Sequence, residues 1–248
     1  MGSSCFVSVY DGHTVLKGYE IWVNGRRRSY YPRSCEDSLR REELIYRKLG
    51  QHPQVLQCFG LMEVHPGVSS LRLEMAPMGN LRQFIEEHIN EPSPRQNRLQ
   101  MALDVAVGLS YVHSRNIQHA DLSCRNFFVF ENYRVKIGDF GASVTKGLEF
   151  PATVCEEMRY ELPLRGRTFG DRPIIKRELF ALGSAIYEIM AWGKPYPDLE
   201  DDEVEERYAH GEFPTLNDPV GHIVETCWAE VYETADEVVT SLKRLAAH

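Results

Sequence analysis

A chain of 248 residues, 43% hydrophobic and 26% charged, is long enough to bury one large core or two smaller ones around a cleft, and too apolar to stay unfolded. Its formal net charge of −8 argues against nucleic acid or an anionic membrane as the main partner. No apolar run approaches the roughly 18 residues that a spanning helix needs, and the first residues lack the apolar stretch of a secretory signal. The six cysteines, at positions 5, 35, 58, 124, 155 and 227, are scattered without a CxxC pair, which fits free thiols in a reducing compartment, cytoplasmic or nuclear.

Residues 5 to 17 read as two β-rich runs around an Asp11-Gly12 turn, a common hairpin signal. Residues 18 to 36 interrupt the pattern with Asn24-Gly25, Arg26 to Arg28 and Pro32, predicting an inserted loop or a short hairpin, its arginines solvated. Asp37 to Leu49 spaces Leu39, Leu44, Ile45, Tyr46 and Leu49 among charges before Gly50, the pattern of an amphipathic helix with its stop signal. Strands are expected at Val55 to Glu63 and Ser70 to Ala76, parted by His65-Pro66-Gly67. After Pro77 helical periodicity takes over, at Leu81 to His88 and Leu99 to Ser114. A largely apolar helix is expected at Glu178 to Trp192, with Gly183 admitting a close neighbour. Further helices follow at Asp198 to Tyr208, Val220 to Trp228 and Ala235 to Ala246.

The chemistry concentrates in His119 to Asn126, HADLSCRN, and in Asp139-Phe140-Gly141 beyond two short strand-like segments. Asp121 and Asn126, five positions apart, and then Asp139 supply groups that can accept a hydroxyl proton and hold two magnesium ions around a triphosphate, which is what phosphoryl transfer asks of a protein. No HExxH or comparable spacing joins His52, His88, His113 and His222, so no zinc site is expected.

These stretches resemble the HRDLxxxN catalytic loop and DFG motif of eukaryotic-type protein kinases. The likeness extends to divergent fungal protein-kinase-like proteins in SLRLEMAPMGNLRQFI and ELFALGSAIYEIMAWGKPYP. The resemblance implies an α+β, two-lobed kinase fold, with a small β-rich N-lobe (residues 1–76, its first strand truncated) and a helical C-lobe (residues 77–248). It implies ATP and Mg2+ as cofactors and a protein as substrate. Asp121 would be the catalytic base, and Asn126 and Asp139 the metal ligands. Lys17, in TVLK, would face the phosphates with Glu42 as its helix partner and Glu43 as second choice. Gly2 is the one glycine matched to a phosphate-covering loop. Val7, Val15 and Phe128 would sandwich adenine, with Leu73 as gatekeeper and Glu74 to Ala76 as hinge.

The departures from the family carry information too. Ala120 replaces an arginine that reads an activation-segment phosphate, so activity without that phosphorylation is expected. Glu161-Leu162-Pro163 stands near the usual Ala-Pro-Glu, and the distant arginine that pairs with its glutamate is absent near Thr234-Ala235, which implies that both halves of that ion pair are lost. Glu178 replaces an aspartate that supports the catalytic loop. Ser123 stands where serine/threonine kinases place a lysine, and Arg125, four residues after Asp121, follows tyrosine kinases, whereas the prevalence of serine/threonine kinases leaves a serine/threonine acceptor favoured. Thr145, Thr153 and Tyr160 are candidate modification positions. A pseudokinase scaffold and a small-molecule phosphotransferase remain the alternative readings.

Overall fold

The computed structural model describes residues 5–31, 34–147 and 156–247. Strands β1 (Phe6–Val9) and β2 (Thr14–Gly18) form the expected antiparallel hairpin. Its turn is closed by Asp11 Oδ1, which accepts from the amides of His13 and Thr14 at 3.1 and 2.8 Å, while Gly12 takes φ +79°. The interrupted stretch folds as a second hairpin, β3 (Glu20–Val23) and β4 (Arg26–Tyr30). Asn24 and Gly25 sit at φ +50° and +71°, the left-handed pair that a two-residue hairpin turn requires. Trp22 anchors this hairpin by stacking on His65 at 3.8 Å.

Helix α1 (Ser34–Leu49) begins earlier than its apolar pattern suggests, with Glu36 and Asp37 in its first turn and Arg47 and Lys48 in its last, each complementing the helix dipole. Leu39, Ile45, Tyr46 and Leu49 are buried, whereas Leu44 falls on the solvent side. Strands β5 (Cys58–His65) and β6 (Val68–Glu74) complete a four-stranded sheet in the order β1-β2-β6-β5. The expected start of β5 at Val55 is corrected, because Val55 is bridged to Ile137 of the helical half instead, through the Leu56 amide donating to the Ile137 carbonyl and the Ile137 amide donating to the Gln54 carbonyl.

Helix α2 (Leu81–Glu87) is capped by the Asn80 side chain, which accepts from the Gln83 amide at 3.0 Å, and α3 (Arg95–Ser114) follows. Buried Asp104 accepts from Arg134 at 2.7 and 2.8 Å and from the Val135 amide at 3.0 Å, which ties α3 to the strands beyond it. Those are β7 (Ile117–Gln118), β8 (Phe127–Phe130), β9 (Arg134–Ile137) and β10 (Val144–Thr145), paired as β7 with β10 and β8 with β9. The helices α4 (Ile174–Ala191), α5 (Asp201–Ala209), α6 (Gly221–Trp228) and α7 (Ala235–Ala246) close the chain. Helix α4 is buried on nearly all sides. At Gly183 an added Cβ would lie 2.6 Å from Cys227 Cβ, the close approach that the glycine predicts. A β-rich portion with one helix thus stands against a helical portion, the two-lobed architecture of the kinase fold.

Candidate active site

Strand β2 presents Lys17 between Val7 and Leu71 of its neighbours. Its Nζ lies 2.7 Å from Glu42 Oε2 on α1 and 2.7 Å from Asp139 Oδ1. Glu42 therefore reaches the lysine, while Glu43 pairs with Arg47 at 2.9 Å one turn along the helix. Burial works against the Lys17 ammonium, but Asp139 and Glu42 outweigh it and raise its pKa. Burial pushes the Glu42 carboxyl up to about 7, with Lys17 pulling the other way. Asp139 is desolvated as well, yet Lys17 holds it below its ordinary value. Two contacts fix α1 in this position: Arg41 Nε donates to the Ser143 carbonyl at 3.1 Å, and Lys48 Nζ to Thr145 Oγ1 at 2.5 Å.

The loop from His119 to Asn126 is held by an acid of α4. Glu178, on α4, accepts from the Ala120 amide at 2.7 Å, the His119 amide at 3.1 Å and His113 Nε2 at 2.7 Å. Ala120 sits at φ +64°, a left-handed conformation that costs a residue with a Cβ roughly 1 kcal/mol or more, and the bond from its amide to Glu178 holds it there. His119 Nε2 donates to the Gly138 carbonyl at 2.9 Å, which joins the loop to the residue before Asp139. Asn126 Nδ2 donates to the Asp121 carbonyl at 2.6 Å and to Asp121 Oδ2 at 3.1 Å. Asp121 Oδ1 is buried with no hydrogen-bond partner among the described residues. Burial lifts the pKa of this carboxyl, so the group is a carboxylate oxygen in want of a donor, suited to accepting a hydroxyl proton.

The donor set also fits a magnesium–nucleotide complex. With both Asn126 Nδ2 contacts spent on Asp121, its amide oxygen is left to face a cation, and Asp139 is 38% exposed. No cluster of three His, Cys, Asp or Glu side chains able to hold a metal occurs among the described residues. Magnesium does not need one, since it takes most of its oxygens from water and phosphate. Asp139 itself is left-handed, at φ +58°, ψ +67°. That turn seats Phe140 in the core, 5.0 Å from both Tyr46 and His119.

On the side expected to meet the base, Val15 pairs with Leu73 across the sheet, and Phe128 covers Gly138, where a Cβ would meet Phe128 Cε2 at 2.7 Å. The connecting segment is fixed by Glu74 N–H to the Gln57 carbonyl at 2.8 Å and Met75 N–H to the His13 carbonyl at 2.9 Å, and Gly79 accepts from Val129 at 2.9 Å, so Ala76 spans from sheet to β8. The Glu74 carboxylate pairs with Lys136 at 2.7 Å. Val7 is 64% exposed. Gly2, Thr153 and Cys155 lie outside the described residues.

Arg125 lies close enough to Asp121 for its charge to pull that carboxyl's pKa down, and its Nε pairs with Glu157 at 2.6 Å. Glu157 also takes Arg82 Nη1 at 3.2 Å, and Arg82 lies bidentate on buried Glu188. Tyr160 donates to Glu188 Oε2 at 2.7 Å. The sequence reading did not find this network, although an arginine at Arg82 and an acid at Glu188 inside apolar helical faces were a signal for it. Glu161 pairs at 2.9 Å with Arg172, whose side chain is fully buried, a different pair from the one between an Ala-Pro-Glu glutamate and a distant arginine. Thr234 instead caps α7.

A family model described as protein tyrosine and serine/threonine kinase matches residues 1–238. Relatives include the probable serine/threonine-protein kinase SIS8 of Arabidopsis thaliana, 30% identical over 84% of this chain and 21% of its own length. The serine/threonine-protein kinase LMTK3 of Mus musculus is 30% identical over 74% of this chain and 15% of its length. The tyrosine-protein kinase ABL2 of Homo sapiens is 28% identical over 92% and 19%. The chain thus spans between 15% and 21% of the length of these three relatives.

Proposed function

Because the chain belongs to the protein tyrosine and serine/threonine kinase family, we propose that it is a working phosphotransferase that moves the γ-phosphoryl group of Mg-ATP to a protein hydroxyl, serine or threonine. The observation that carries this reading is the junction of Lys17, Glu42 and Asp139 at 2.7 Å contacts, set beside an Asp121 oxygen that lacks a donor. In this reading Lys17 steadies the phosphates, Asn126 and Asp139 hold magnesium, and Asp121 takes the acceptor proton. Magnesium and the lysine neutralise charge on the transferring group, and the protein's remaining task is alignment. The serine/threonine acceptor is favoured because Arg125, the residue that follows the tyrosine-kinase pattern, is drawn to Glu157. The finer likeness to fungal kinase-like proteins rests on Ser70 to Ile85 and Glu178 to Pro197.

A pseudokinase scaffold is the second reading, favoured by one observation: Val7 and Val9, on the strand that would cover the nucleotide, are 64% and 67% exposed. The membership of the family sets aside a small-molecule phosphotransferase. The deciding experiment is transfer from Mg-ATP into a mixed peptide pool, followed by identification of the phosphorylated amino acid. Phosphoserine or phosphothreonine supports the proposal, phosphotyrosine reverses the acceptor, and binding of Mg-ATP without transfer favours the scaffold.

A further inference from the structure

Helix α1 uses its cations in two ways. Arg40 and Arg47 pair with Glu36 and Glu43 of the helix itself. Arg41 and Lys48, two turns apart and so on one face, reach across to the segment that follows Asp139-Phe140-Gly141. Arg41, which is buried, donates from Nε and Nη2 to the Ser143 carbonyl, the first at 3.1 Å, and the Ser143 hydroxyl donates in turn to the His119 carbonyl at 3.1 Å. Lys48 Nζ donates to Thr145 Oγ1 at 2.5 Å, and that hydroxyl donates to the Asn116 carbonyl at 2.9 Å. Ser143 and Thr145 flank Val144, and both are buried. A hydroxyl has one proton to give, and here each gives it to the stretch that leads into Asp121. Two relays therefore run side by side from α1 to the approach of the catalytic loop. Tyr111 and Arg115 of α3 donate to the Leu49 and Lys48 carbonyls, which ties the end of α1 to the same half.

We propose that Arg41, Lys48, Ser143 and Thr145 are positioning residues that lock α1 and the catalytic loop into one unit, at the distance where Glu42 reaches Lys17, with no modified residue in the link. Glu42 lies between Arg41 and Lys48 along the helix. A shift of α1 away from Ser143 and Thr145 thus carries its carboxylate off the 2.7 Å contact with Lys17. A misplacement of about 1 Å in such a site costs on the order of a hundredfold in rate. Ala120 has no cation with which to join these segments through a phosphate, and the relays join them with unmodified side chains. What the lock does for the nucleotide rests on the phosphoryl-transfer reading; the coupling of α1 to the loop does not.

Two measurements on the whole chain test it. Calorimetry gives the Mg-ATP affinity of Lys48→Met and Ser143→Ala, each alone and combined with Glu42→Ala. Lys48 is exposed and Ser143→Ala removes a single oxygen, so both variants are expected to fold. Each should bind Mg-ATP about fivefold more weakly, the worth of one lost hydrogen bond, because a loosened α1 is populated at the expense of the binding state. With Glu42 already alanine the loss should shrink below about twofold, since the positioned group is gone. Equal losses in both backgrounds, or none, would overturn the proposal. Amide hydrogen exchange without nucleotide reads the coupling. Both variants should speed exchange in α1 and in residues 116–121 together, while α6 and α7 keep wild-type rates. Unchanged exchange, or exchange raised in one of the two segments alone, would overturn it as well. A folded wild type that fails to bind Mg-ATP would count against the proposed function instead, and the exchange result would still decide the lock.

Discussion

Replacing Arg82 by alanine is expected to destabilise the helical portion more than most single substitutions, for a reason visible in its surroundings. Arg82 is 5% exposed and Glu188 fully buried. The guanidinium fork covers both carboxylate oxygens of Glu188 and reaches Glu157 at 3.2 Å. Without it, Glu188 keeps only the Tyr160 hydroxyl at 2.7 Å. Burial already raises the Glu188 pKa against the pull of Arg82, so the stranded acid must take up a proton or admit water. Breaking a buried pair in this way costs about 3 to 5 kcal/mol. At roughly 2 to 4 °C per kcal/mol for a chain of this size, the melting temperature should fall by about 6 to 20 °C. Urea unfolding followed by tryptophan fluorescence gives the free energy directly. The triple variant Arg82→Met/Glu188→Met/Tyr160→Phe removes the charges together with the hydroxyl that faces them, and should recover most of the loss. A cost below about 1 kcal/mol for Arg82→Ala, a value typical of a solvent-screened surface pair, would refute the reasoning. So would a triple variant no more stable than the single one.

Nucleotide affinity should rise with pH through about 7, because Glu42 titrates near there and only its ionised form holds Lys17 in place as an ion pair. The same titration in Glu42→Gln cancels the ionisation of the nucleotide itself and should show no such component; an identical profile in both proteins would count against the assignment. Gly183→Ala should cost about 1 to 3 kcal/mol, since its new Cβ would lie 2.6 Å from Cys227 Cβ, which cannot swing aside. Urea unfolding checks this value. Phosphatase treatment should leave transfer activity unchanged, because Ala120 presents no cation to a phosphate and its amide is already committed to Glu178 at 2.7 Å. Loss of activity on dephosphorylation would contradict that.

The parts of the fold most legible in the sequence are those with strong local chemistry. Ala235 to Ala246 is read to the residue because Thr234 caps it. The hairpins are marked by Asp11-Gly12 and Asn24-Gly25, whose turn geometry few other residues allow. Boundaries set by tertiary partners are less legible. Val55 carries the pattern of a strand, yet its bridge goes to Ile137, and α4 starts at Ile174 rather than Glu178 because Pro173, just ahead of it, suits a helix start. At the site, Lys17, Asp121, Asn126 and Asp139 are legible through joint spacing. Between Glu42 and Glu43 the sequence leaves a choice, which the side-chain contacts settle. Networks that join distant segments, such as Arg82 with Glu188 or Glu161 with Arg172, leave only a weak trace: a charge inside an apolar pattern, with its partner unspecified.

The central claim is that Asp121, Lys17, Asn126 and Asp139 form a working phosphoryl-transfer site, and the most direct measurement is transfer of labelled γ-phosphate from Mg-ATP to a hydroxyl-containing peptide by the wild type and by Asp121→Asn. Transfer by the wild type that falls by at least a hundredfold in the variant, with Mg-ATP affinity retained, is the predicted result. Equal transfer by both, or none by a folded wild type that binds Mg-ATP, would contradict it.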